Sequence, residues 1–68
     1  MPYLAVATAL RERIRGGEWL PGEALPSVTA LGAEYEVSRA TAARAIKVLT
    51  DEGLVYTVPG WGTFRSEQ

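Results

Sequence analysis

Arg39, Arg44 and Lys47 are the three cations between Ser38 and Thr50, and no acid interrupts them. The segment therefore carries a local positive charge inside a chain whose net charge is −1. Glu18, Glu23, Glu34, Glu36, Asp51 and Glu52 lie before that stretch or at its end. The total charge alone argues against a nucleic-acid partner, because such affinity rests on Lys and Arg neutralising phosphates. The distribution argues the other way, for a focused anionic partner.

Other chemistry is limited by what the chain lacks. It has no cysteine and no histidine. That removes disulfides, thiolate metal sites, the usual general base and nearly all zinc chemistry. Glu34/Glu36 and Asp51/Glu52 are the close carboxylate pairs, and neighbours at i+1 or i+2 do not converge as an acid–base pair must. Gly16-Gly17 lacks the Lys-Ser/Thr that a phosphate loop requires. The expectation is a protein that is not an enzyme, with no cofactor and no metal. No apolar run is long enough to span a membrane, and no basic region precedes an apolar stretch at the N-terminus. A cytoplasmic location is expected.

The elements that would position the cations can be read from periodicity. At 68 residues, 47% hydrophobic and 22% charged, the chain is expected to form one globular domain over residues 1–68 with a thin core. Tyr3, Val6, Ala7, Leu10 and Ile14 share one helical stripe, so a first helix is predicted from about Tyr3 to Arg15. Pro2 suits its first turn and Gly16-Gly17 its end. Two prolines between Trp19 and Pro26 preclude a long helix there, and at most a strand of two or three residues fits. Trp19, Leu20 and Leu25 are expected to fold back onto the core. Ser27 reads as an N-cap for a short helix, about Val28 to Tyr35, with a break at Glu36-Val37. Ser38 is a second cap, for a helix from about Arg39 to Glu52 closed by Gly53.

That third helix has two faces. Ala42, Ala45, Ile46 and Leu49 form its inner stripe. Ala40, Ala43, Arg44 and Lys47 fall at i, i+3, i+4 and i+7 on the other side. Leu54–Val58 and Thr63–Arg65 read as strands around a Pro59-Gly60-Trp61-Gly62 turn. The fold class is therefore α+β: three helices followed by a C-terminal β-hairpin, a small winged helix-turn-helix, with the helix-turn-helix at about 28–47 and the wing at about 54–66.

A major groove is about 12 Å wide and admits a helix. Low alanines at 40 and 43 would let the backbone approach, while Arg39 and Arg44 could reach a guanine edge or a phosphate. Ser38 and Thr41 sit where free N–H groups and the helix dipole favour a phosphate. The competing reading is that these bases are simply a solvated face. Trp61, on the hairpin tip, is read either as a minor-groove or phosphate contact or as packing on its own hairpin. Trp19 is read as core, and Tyr3, Tyr35, Tyr56 and Phe64 as core or hairpin packing.

In their order and spacing these residues resemble the N-terminal DNA-binding domain of GntR-type bacterial transcription regulators. The matching parts are Leu10 and Ile14 ahead of Gly16/Gly17, Pro21-Gly22, Leu25-Pro26-Ser27, Val37-Ser38-Arg39-Ala40-Thr41, Ala45-Ile46, Leu49, Glu52-Gly53-Leu54-Val55 and Gly60-Trp61-Gly62-Thr63-Phe64. The resemblance implies a repressor that binds double-stranded operator DNA as a homodimer on a pseudo-palindrome, with dimerisation weak or absent in so short a chain. It places base reading at Ser38, Arg39 and Thr41 and the minor-groove approach at Gly60. Two positions depart from the family pattern. Thr29 and Ala43 stand where the family commonly has arginine, and Arg44, one residue on and rotated by about 100°, is the candidate substitute. The DNA-binding set is thus Ser27, Thr29, Ser38, Arg39, Ala40, Thr41, Arg44, Lys47, Gly60 and Trp61. The family's effector domain is not expected in this segment, so no small-molecule effector is bound by it. A winged helix used for protein docking, without DNA, is the alternative.

Overall fold

Val6, Ala7, Leu10 and Ile14 lie on one stripe, and all four are buried in the computed structural model, which describes residues 2–67. Residues 1 and 68 of the expected domain lie outside the described residues. The stripe belongs to α1, Tyr3–Arg15. Pro2 is the residue flanking the helix rather than part of its first turn. Gly17, at φ 85, ends α1: its N–H reaches the Ile14 carbonyl and that of Glu18 the Arg13 carbonyl, so two terminal carbonyls are satisfied.

α2 (Val28–Tyr35) and α3 (Arg39–Asp51) each begin at a serine whose hydroxyl accepts a backbone N–H, Ser27 from Ala30 and Ser38 from Thr41, both at 3.1 Å. α3 stops one residue earlier than periodicity implies, and Gly53 takes the left-handed position at φ 78. Val55–Val58 (β1) and Gly62–Arg65 (β2) pair antiparallel, with Val58 opposite Gly62. Pro59, Gly60 at φ 81 and a Trp61 N–H donated to the Val58 carbonyl make the tight turn between them.

Residues 22–25 add a third, irregular edge. Ala24 lies opposite Phe64, and hydrogen bonds run from Gly22 N–H to Arg65, Arg65 N–H to Glu23 and Leu25 N–H to Thr63. β2 is therefore central, and Pro21 and Pro26 sit at the ends of an edge segment, where a missing N–H costs no ladder bond.

The core is a single cluster. The α1 stripe meets Leu31 from α2, Ala42, Ala45, Ile46 and Leu49 from α3, Val55 from β1, and Trp19 and Leu25 from the proline-rich connection. Leu20 departs from expectation: it is 63% exposed. A turn closes from Leu20 to Glu23, with the Leu20 N–H donated to the Glu23 carboxylate at 2.5 Å, and this places its side chain at the surface.

Two arginines of α1 tie the shell together. Arg11 pairs with Glu52 at 2.6 Å. Arg13 pairs with Glu18 at 2.5 Å and Glu34 at 2.8 Å, donates to the Tyr35 hydroxyl and lies over the Trp19 ring at 4.8 Å. Hydrogen bonding from these guanidinium groups holds the Glu52 and Glu18 carboxyls below the ordinary value of 4.5. Depressed folded-state values mean that this contribution to stability is complete above pH 4.5 and lost as the pH falls through the lower native values. Thermal melts should therefore show Tm falling below that pH, and a Glu18→Gln/Glu52→Gln double variant should show a shallower fall.

The turn between α2 and α3 is tight. Gly32 is buried on α2, and a Cβ there would lie 2.9 Å from the Val37 carbonyl oxygen. Gly32→Ala should thus destabilise by about 1–3 kcal/mol in chemical denaturation, since backbone has to shift. Glu36, next in the turn, has φ 56, a conformation that strains a residue with a Cβ. Glu36→Gly should raise stability by about 0.5–1 kcal/mol, the relieved strain being partly offset by chain entropy.

Candidate nucleic-acid interface

The capping of α3 decides what its first turn can offer. The Ser38 hydroxyl accepts the Thr41 N–H and contacts the Thr41 hydroxyl at 3.0 Å, so both side chains are held at the helix start. Arg39 and Ala40 follow and are exposed, as are Ala43, Arg44 and Lys47 further along. Thr41 is half-buried. The expected outer face therefore exists as one surface, because the inner stripe fixes the rotation of the helix against α1 and α2.

The cations on this face differ in their surroundings. Arg39 makes no ion pair among the described residues. Lys47 pairs with Asp51 one turn on, at 3.2 Å. Arg44 is exposed and also makes no ion pair among the described residues, but its guanidinium lies 4.1 Å from the centroid of the Tyr3 ring. Of the acids flanking the segment, Glu34 is engaged by Arg13 and Glu52 by Arg11, Asp51 pairs with the segment's own Lys47, and Glu36 makes no ion pair among the described residues. A helix start with an unpaired arginine and low alanines is suited to an anion and to close approach of a groove.

Ser27 and Thr29, at the start of α2, are exposed, and the Ser27 hydroxyl is committed to its cap. The hairpin lies beside α3. Val28, Ala43, Ile46, Lys47 and Thr50 line a groove whose far wall is Thr57 and Thr63, paired across the strands at 3.3 Å. Gly60 and Trp61 form the hairpin tip. Trp61 is 80% exposed. It borders an apolar surface with Gly22, Tyr56, Val58 and Phe64, on the hairpin face opposite Thr57 and Thr63. Its side chain is therefore not gathered with the α3 face, although its backbone shares the tip with Gly60. Trp19 is buried, and Tyr56 stacks on Phe64 at 5.7 Å, as expected.

Sequence reasoning missed Thr57, Thr63 and Tyr3 as parts of this surface. Strand alternation carried a signal for the threonines, which stand out of phase with Tyr56 and Val58. Nothing in the sequence linked Tyr3 to Arg44. Among the described residues no group of histidine, cysteine or carboxylate side chains could hold a metal ion, and no helix is long and apolar enough to cross a membrane.

Residues 2–64 match the family model for bacterial regulatory proteins of the gntR family. The chain is 43% identical over 65 residues to the histidine utilization repressor of Klebsiella aerogenes, covering 96% of this chain and 27% of that protein. It is 38% identical over 66 residues to the mannosyl-D-glycerate transport/metabolism system repressor MngR of Escherichia coli K12, covering 97% and 28%. It thus spans about a quarter of the length of these curated relatives. Among solved structures, the DNA-binding domain of AraR in complex with operator ORX1 superposes with a TM-score of 0.92 at 36% identity, over 97% of this chain and 81% of that one. A GntR family transcriptional regulator from Listeria monocytogenes gives 0.91 at 30% identity, over 97% and 58%. With the family model matched over all three helices and the hairpin, this chain belongs to the gntR family of bacterial regulatory proteins, and its fold is their winged helix-turn-helix.

Proposed function

We propose that the chain is the operator-binding part of a bacterial transcriptional repressor, with α3 entering the major groove of double-stranded DNA and the hairpin tip at Gly60 approaching the adjacent minor groove. The observation that carries this reading is the capped start of α3. There Arg39 is exposed and free of carboxylates among the described residues, and Ala40 and Ala43 keep the face beside it low. The operator-bound AraR domains and the repressor relatives support it.

In this mechanism Arg39 reads a base edge, and the Ser38–Thr41 turn presents backbone N–H groups to a phosphate. Ser27 and Thr29 meet the backbone from the start of α2, and Arg44 and Lys47 meet phosphates further along α3, while Gly60 makes the approach at the tip and the Trp61 side chain faces away from the groove. Ala43 and Thr29 supply no charge, so affinity per domain is modest and two copies on a pseudo-palindrome are needed. Residues 1–68 act as one DNA-binding domain, with helix-turn-helix 28–47 and wing 54–66. Effector sensing and stable dimerisation belong to the part of the longer relatives that this chain does not match.

Arg39→Ala should weaken binding to a selected operator duplex by about 1–3 kcal/mol and relax discrimination at one base position. Binding of the unaltered chain should weaken with salt, at a log–log slope of about −0.9 for each phosphate neutralised. A mobility-shift series with no salt-dependent complex on any duplex would overturn the reading in favour of a protein-docking module.

A further inference from the structure

Arg44 stands on the outer face of α3, and its guanidinium carbon lies 4.1 Å from the Tyr3 ring centroid. Tyr3 opens α1 and is half-buried, packed against the core. Together with Lys47, Val48 and Asp51 the two residues line a shallow cleft between the start of α1 and α3. Within it Lys47 and Asp51 engage each other, and Arg44 makes no ion pair among the described residues. The first turn of α1 carries no acid that would compete for it.

A guanidinium stacked through its flat face loses no hydrogen-bond donor. Its N–H groups lie in the plane and point outward from the ring, while the negative face of the aromatic offsets its charge. Stacking therefore removes rotamer freedom from a long side chain and leaves its phosphate-binding edge available. The neighbouring position is Ala43, which reaches nothing. We propose that Tyr3 is a positioning residue: its ring holds the Arg44 guanidinium ready as a phosphate clamp at the edge of the α3 face. This rests on the DNA-binding reading above.

The test uses a short duplex enriched by this chain itself from a random-sequence library, with affinity measured across a salt series. Arg44→Ala should weaken binding about fivefold and reduce the salt slope by about 0.9. Tyr3→Leu should weaken it about threefold or more in the folded protein, Tyr3→Phe should bind as the unaltered chain does, and Tyr3→Leu should add no further loss when Arg44 is already Ala. Unchanged affinity in Tyr3→Leu overturns the proposal, as does an equal loss with and without Arg44. If Tyr3→Leu does not fold, proton NMR of the unaltered chain decides: Arg44 side-chain protons shifted upfield by the Tyr3 ring support the proposal, and free-arginine shifts overturn it. Arg39→Ala separates the two readings: loss there with neutral Tyr3 and Arg44 variants removes only the clamp, whereas neutrality of all three removes DNA binding by this face.

Discussion

The division of α3 into two faces is the constraint on which the rest depends. Ala42 and Ala45 have no measurable exposure, and their small side chains let α1 and α2 approach closely, while Ile46 and Leu49 fill the space beyond. α3 packs against α1, α2 and β1 together, so it has no freedom to roll. A rotation that exposed Arg39 less would draw Leu49 or Ile46 into water, at about 1.5–3 kcal/mol for each such side chain. The outward presentation of Arg39, Ala40 and Ala43 is thus a consequence of the core.

The thinness of that core explains the shell around it. A domain of this size buries a smaller fraction of its surface than a larger one does, so the connections must contribute. Trp19 and Leu25 return from the proline-rich segment to cap the cluster, and the 22–25 backbone pairs with β2 to make the hairpin a three-membered sheet edge. Arg13 joins α1 to the connection and to α2 through two carboxylates, a tyrosine hydroxyl and the Trp19 face. Exposed ion pairs contribute little singly, and this one gains from being a network.

This network and the Arg11–Glu52 pair bear on the mismatch between an acidic chain and the anionic partner proposed for it. Arg11 and Arg13 of α1 engage Glu52, Glu18 and Glu34, which neutralises three of the chain's carboxylates. Near the start of α3 stand Arg39, on a capped helix and outside any ion pair among the described residues, and one exposed carboxylate, Glu36, in the preceding turn. Net charge describes solubility and long-range steering, whereas contact is governed by which charges are already engaged.

Much of this was legible in the residues. The stripe at Val6, Leu10 and Ile14, the serine caps at 27 and 38, the Pro-Gly turns and the alternation of β1 are local signals, because each depends on the period of a helix or strand or on the dihedral preferences of one or two residues. They determined the element order, the core and the outer face of α3. What depended on distance along the chain was not legible: Tyr3 beneath Arg44, Arg11 on Glu52, Ala24 against Phe64, and Trp61 turned to the hairpin face away from the groove. Leu20 is the instructive miss, an apolar residue placed outside by a turn whose closure needed Glu23. Such contacts have no period and no propensity. They arise when helices set by their own local rules pack together, and only the packed chain decides which side chain meets which.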